Sequence, residues 1–155
     1  MRMTRHGFAL DYAPMAVAEW RTVRPYPVLA TELLERPDWV CYLAFAEDQP
    51  AGQCILKTGE HSLCELLDIR TDSRYRRQGI ATELVETALE WAVRNGCAGL
   101  RAAATDEWPV ACQFFEKTGF ALGGIDRFWH AADPDQAKKL PGLRETVLLY
   151  YRFSE

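Results

Sequence analysis

Arg74, Arg76 and Arg77 crowd the approach to Gly79 in the run RYRRQGIATELVE (residues 74–86), within a chain whose formal net charge is −4. Positive charge gathered at one point of an acidic chain suits an anion. If a helix begins there the backbone adds to the effect, because its first turn leaves N–H groups without partners and carries partial positive charge. Phosphate is the natural ligand of such a turn. Gly79 lacks the Cβ that would hold a pyrophosphate away from the main chain, and Ala81 is nearly as small. The same residues also serve a plainer end, a glycine easing a turn beneath a solvated basic face, and the local stretch alone leaves both readings open. Neither G-x-G-x-x-G nor G-x-x-x-x-G-K-[ST] occurs, so the usual nucleotide loops are absent.

The elements around this turn follow from hydrophobic period. Residues 12–37 read as helical, with Met15, Val17, Ala18, Trp20, Leu29, Leu33 and Leu34 near helical spacing, interrupted by Pro25 and Pro27 and ended by Pro37. WVCYLAFA (39–46) and QCILK (53–57), separated by Asp48, Pro50 and Gly52, predict a β-hairpin, and SLCELLDIRT (62–71) a further strand. From Ile80 the period changes: Ile80, Leu84, Ala88, Trp91 and Ala92 share one helical face, Glu83, Glu86 and Glu90 another, and Gly96 stops the helix. GLRAAAT (99–105) predicts a strand, Pro109 to Thr118 a helix with proline in its first turn and Gly119 past its end, and residues 120–125 and 147–153 two more strands. The expected fold is mixed α/β in a single domain spanning 1–155.

Composition narrows the classes. A chain of 155 residues, 48% hydrophobic, can bury an ordinary globular core. No apolar run is long enough to span a membrane and the N-terminus MRMTRHGF lacks the apolar segment of a secretory signal, so a cytoplasmic protein without a membrane partner is expected. With 22 acidic against 18 basic side chains there is no global basic field, and nucleic acid is not an expected partner. Cys41, Cys54, Cys64, Cys97 and Cys112 are odd in number and form no C-x-x-C, which predicts reduced, mostly buried thiols. His6, His61 and His130 have no ligand spacing, so no metal is expected. No G-x-S-x-G surrounds Ser62 or Ser73.

The segment Arg76-Arg77-Gln78-Gly79-Ile80-Ala81 matches the [RQ]-x-x-G-x-[GA] motif of the GNAT superfamily of N-acetyltransferases. The preceding LLDIRTDSRY resembles that family's fourth strand and entry loop, and ACQFFEKTGF (111–120) resembles its second signature helix and following strand, at the expected spacing. Within the family, PVACQFFEKTGFALGGID (109–126) is most similar to streptothricin acetyltransferases.

The resemblance implies a central mixed, mostly antiparallel sheet flanked by helices, with acetyl-CoA as acyl donor and a small, cationic molecule bearing a primary amine as acceptor. It places the pyrophosphate on the N–H groups of Arg76, Arg77, Gln78, Gly79, Ile80, Ala81 and Thr82, and the pantetheine along the strand ending Ile69-Arg70-Thr71. An amine of pKa near 10.4 must lose a proton before it attacks. Asp68 and Glu65 are the candidate acceptors of that proton, and a regular strand would put residues three apart on opposite faces. Asp68 holds the acidic position seen in streptothricin acetyltransferases; a structural pairing of either carboxylate with an arginine is the plainer reading. Phe115 stands where many members have a proton-donating Tyr, so it should line the cofactor cleft without acting as an acid; Trp108 stands where many have Asn. Both departures favour the alternative of a non-catalytic CoA-binding regulatory module. The oligomeric state is open, a homodimer included.

Overall fold

The computed structural model describes residues 2–4, 7–9, 35–138 and 145–155, so most of the helical reading of 12–37 lies outside the described residues. Strands β1 (Arg2–Thr4) and β2 (Gly7–Ala9) form a small antiparallel pair. The main sheet contains β3 (Trp39–Ala46), β4 (Gln49–Thr58), β5 (Leu63–Thr71), β6 (Gly99–Thr105), β7 (Ala121–Asp126) and β8 (Val147–Phe153), in the order β3-β4-β5-β6-β8-β7. Every neighbouring pair in it is antiparallel except β5 and β6. That exception follows from the connection, because parallel neighbours need a crossover, and helix α1 (Ile80–Arg94) supplies it. Helices α2 (Pro109–Lys117) and α3 (Pro134–Ala137) follow.

The hairpin between β3 and β4 turns on Glu47 and Asp48, at φ 51° and 61°, a two-residue turn with both residues left-handed. Pro50 and Gly52, expected in the turn, lie inside β4 instead. Gly52 is there for packing: a Cβ would stand 2.9 Å from the Arg70 carbonyl oxygen and 3.0 Å from Ile80 Cγ2. Glycine thus lets the start of α1 close on the sheet beside the end of β5.

Both long helices cover one face of the sheet. Leu84, Val85, Ala88 and Ala92 of α1 and Cys112 and Phe115 of α2 are buried with Cys54, Leu56, Cys64, Leu66, Leu100, Ala102, Leu148 and Tyr150 of the strands. The apolar face read from the sequence between Ile80 and Ala92 is the face that packs. α1 ends where Asn95 Nδ2 donates to the Trp91 carbonyl at 2.8 Å and Gly96 takes φ 75°.

Candidate acyl-transfer site

Where β5 and β6 run side by side they are paired only through Leu63–Gly99, Cys64–Leu100, Glu65–Arg101 and Leu66–Ala102. Beyond that point β5 stays paired with β4 as far as Thr71, and β6 with β8 as far as Thr105. The two parallel strands therefore part at their carboxyl ends, leaving the edges of Leu67–Thr71 and Ala103–Thr105 without each other's hydrogen bonds. A split of this kind exposes a row of strand N–H and C=O groups that an extended ligand can pair with.

The turn after β5 ends beside this split. Asp72 accepts from the backbone N–H of Arg74 at 2.9 Å and caps a short 3-10 turn, Ser73–Tyr75. Arg74 is held by Asp72, with Nε 3.1 Å from Oδ1, and stacks on the Tyr75 ring at 5.5 Å. That hydrogen bond also holds the Asp72 carboxyl below the usual range. Arg76 and Arg77 are exposed, and no carboxylate pairs with either among the described residues.

Arg77 at φ 63° and Gly79 at φ 80° are both left-handed, and helix α1 starts at Ile80. The first N–H to find an intrahelical partner here is that of Glu83, which donates to the Gly79 carbonyl at 3.0 Å. The amides of Ile80, Ala81 and Thr82 precede it and have no such partner. Two observations fit this turn to a phosphate ligand. Among the described residues nothing would stand within 4 Å of a Cβ on Gly79, so none of them fills the space above the backbone. Thr71 Oγ1, at the end of β5, is buried without a hydrogen-bond partner among the described residues.

The predicted carboxylates are arranged differently from expectation. The register between β4 and β5 slips at Ile55/Leu56: Leu66 faces Leu56, Asp68 faces Ile55, and Leu67 is the extra residue of a β-bulge. Glu65 lies opposite Lys57 and Asp68 opposite Ile55, and those partners are two apart on β4. Glu65 and Asp68 consequently share one face of the sheet, the face away from α1 and α2, rather than opposite faces. The bulge overturns the regular-strand expectation. Ile69 and Thr71, paired with Cys54 and Gly52, point to the helix side.

Both carboxylates have arginine partners, as the plainer reading held. Arg70 Nε donates to Asp68 Oδ2 at 2.8 Å and its Nη2 to Oδ1 at 2.8 Å, while Gln53 Nε2 donates to Oδ2 at 2.9 Å. Glu65 is paired with Arg101, directly opposite it on β6, and Arg101 in turn lies opposite Tyr151 on β8. Glu65 holds the Arg101 guanidinium more firmly protonated than usual. Gln53 and Arg101 escaped the sequence reading because only strand register brings them to the carboxylates.

Phe115 is not on the open surface of the cleft. It is 5% exposed, and its ring lies 5.1 Å from Phe120 and 5.5 Å from both Phe114 and Tyr150. On the sheet-facing side of α2 its ring is covered by the aromatic core. Trp108 precedes α2 and is exposed. Tyr150 is fully buried. No group of three or more His, Cys, Asp or Glu side chains suited to a metal is present among the described residues.

Fold and site together define an α/β protein with an anion-ready turn at the mouth of a split sheet. Its family follows from comparison: the Acetyltransferase (GNAT) family matches residues 8–120, and the chain belongs to that family. It is 31% identical over 117 residues to the streptothricin acetyltransferase of Escherichia coli, covering 76% of this chain and 64% of that protein. Streptothricin acetyltransferase A of Bacillus subtilis (strain 168) is 26% identical over 120 residues, covering 77% and 66%. This chain thus spans about two thirds of the length of either relative. A Bacillus anthracis (strain Ames) protein solved in complex with acetyl coenzyme A shares the fold with a TM-score of 0.74 at 24% identity, over 84% of this chain and 70% of that one. No helix among the described residues is long and apolar enough to cross a membrane.

Proposed function

We propose that this chain, as one acetyltransferase domain over residues 1–155, moves an acetyl group from acetyl-CoA to the primary amine of a small cationic molecule, a streptothricin-like antibiotic being one such acceptor. The observation that carries this reading is the meeting of the amides of Ile80, Ala81 and Thr82, which have no intrahelical partner, with the split between β5 and β6. One end binds phosphate, the other an extended amide-containing arm. The names of the two curated relatives support the reaction and the acceptor class, and give no support to a non-catalytic module.

Acetyl-CoA supplies the activated acyl group as a thioester. Arg76, Arg77, Gln78 and Gly79, with the first amides of α1, hold the pyrophosphate. The free edge of Ile69, Arg70 and Thr71 aligns the pantetheine as a neighbouring strand would. Asp68 receives the amine proton directly or through one water. Three donor groups serve its ionised carboxylate, Arg70 Nε shared between both oxygens, Arg70 Nη2 on Oδ1 and Gln53 Nε2 on Oδ2. Glu65, on the same face, contributes negative potential near the acceptor. With phenylalanine at 115 the thiolate leaves without help from that position, which is tolerable for a group of pKa about 8.5.

A thiol-release assay with acetyl-CoA against a panel of amines, streptothricin included, tests donor, reaction and acceptor together. Release that depends on both acetyl-CoA and a cationic primary amine is expected. Thermal stabilisation by acetyl-CoA with no release to any amine would overturn the enzymatic reading.

A further inference from the structure

The Sγ atoms of Cys64 and Cys97 lie 2.9 Å apart. That is within an ångström of the disulfide bond length of about 2.05 Å. Cys64 is fully buried in β5 opposite Leu100, while Cys97 is partly exposed in the link between α1 and β6. Backbone bonds pin that link on both sides, Cys97 N–H donating to the Ala92 carbonyl at 2.9 Å and Ala98 N–H to the Ser62 carbonyl at 2.7 Å. Of the other three thiols, that of Cys54 points to the Leu84 carbonyl at 3.9 Å and that of Cys112 to the Thr105 carbonyl at 3.5 Å, while Cys41 lies in β3, partly exposed. Burial, helped by the hydrogen bond with Cys97, pushes the Cys64 thiol up to about 12. Solvent reaches Cys97, so Cys97 is the sulfur that meets an oxidant first.

We infer that Cys64 and Cys97 form an oxidation site that closes to a disulfide when the protein meets a peroxide. The Cys97 thiolate attacks one peroxide oxygen; the O–O bond breaks, giving a sulfenic acid and, after protonation of the departing oxygen, one water. The Cys64 sulfur then displaces the sulfenic hydroxyl; the S–S bond forms, the S–O bond breaks, and the hydroxide leaves as a second water with the Cys64 proton. Two thiols are oxidised and one hydrogen peroxide is reduced. The new bond joins residues 33 apart in sequence, at the closed end of the β5–β6 pair. It straps the base of the split and leaves the mouth, Asp68 to Thr71 and Ala103 to Thr105, free.

Treatment of the protein with a few equivalents of hydrogen peroxide, blocking of free thiols with iodoacetamide, and peptide mapping test this. The expected product joins the Cys64 and Cys97 peptides, lighter by two hydrogens, with dithiothreitol restoring both thiols. The thermal midpoint should rise by several degrees on oxidation, since the cross-link restricts the unfolded chain. Neither change should occur in Cys97→Ser, whose substitution lies at a partly exposed site. A Cys97 sulfinic acid with Cys64 still alkylatable after unfolding, or a disulfide made instead through Cys41, Cys54 or Cys112, overturns the inference.

Discussion

Arg70 reaches back along its own strand and grips Asp68 with both ends of its guanidinium, Nε and Nη2 each 2.8 Å from a different carboxylate oxygen. The bulge at Leu67 leaves both on the face away from the helices, so the pair stands beside the split and outside the main apolar core. An Arg–carboxylate fork of this geometry fixes a side chain more firmly than a single contact would.

Asp68→Asn keeps the shape and the hydrogen bond from Arg70 to the remaining carbonyl oxygen but removes the basic oxygen. If Asp68 takes the amine proton, kcat should fall by about 10²- to 10⁴-fold with the acetyl-CoA-induced thermal shift retained. Glu65→Gln should cost less than tenfold, because Glu65 acts only through its charge. Steady-state thiol release measures both; an Asp68→Asn rate within twofold of the parent would assign the base elsewhere.

Gly79→Val should abolish the stabilisation by acetyl-CoA, which for a ligand at about a hundredfold excess over its Kd is roughly 2.7 kcal/mol. The branched side chain would fill the open space above the turn and resist the φ of 80°. Gly96→Val supplies the control, since Gly96 has φ 75° and, among the described residues, equally open surroundings but sits at the far end of α1. Both variants should lose stability through backbone strain, and only Gly79→Val should lose the ligand response. A full response in Gly79→Val sinks the phosphate-turn reading.

Phe115→Ala should destabilise the fold by about 3–5 kcal/mol in chemical denaturation, the cost of emptying a buried aromatic site. Phe114, Phe120 and Tyr150 all border the space it would leave. A loss below about 1 kcal/mol would mean that the ring is not packed in solution.

Alkaline stability should decline with a contribution from Cys54. Burial raises its thiol from 9.0 to about 12, so the native state holds a proton that the unfolded chain releases. The sign follows: this contribution is fully present below pH 9 and is lost progressively as pH rises towards 12. Denaturation at a series of pH values should show Cys54→Ala with a shallower decline across that window than the parent. Equal slopes would mean that the thiol is not desolvated.

Apparent KM for a polycationic amine should rise with salt as the screening length falls to about 8 Å at physiological ionic strength, while a singly charged amine with a neutral tail should respond little. Asp126 and Glu145 are further acidic candidates beside Glu65 and Asp68; Glu145 lies 3.9 Å from His130 and Asp126 caps the N–H of Phe128 at 2.8 Å. The same salt response for both acceptors would remove the role of charge in acceptor binding.

What the sequence determined by itself is what depends on neighbours along the chain. The change of period at Ile80, the glycine after Arg94, the proline opening α2 and the apolar strand at 147–153 each bias the backbone locally, and each element stands within a residue or two of its expected place. The turn proposed for the pyrophosphate was legible for the same reason, since a helix start and a glycine at positive φ are properties of a few consecutive residues. Tertiary structure alone decided the rest. Nothing in SLCELLDIRT announces that Leu67 is a bulge, because register is settled by pairing with a strand that has its own side chains to place. That slip put Glu65 and Asp68 on one face and Asp68 beside Arg70 and Gln53, while the β5–β6 register gave Glu65 its Arg101. Likewise the resemblance set Phe115 at the cofactor cleft, and only the packing of Phe120 and Tyr150 against it shows its ring within the aromatic core. Cys64 and Cys97 meet for the same reason, across a helix and a parallel crossover, where closeness in space is independent of spacing in sequence.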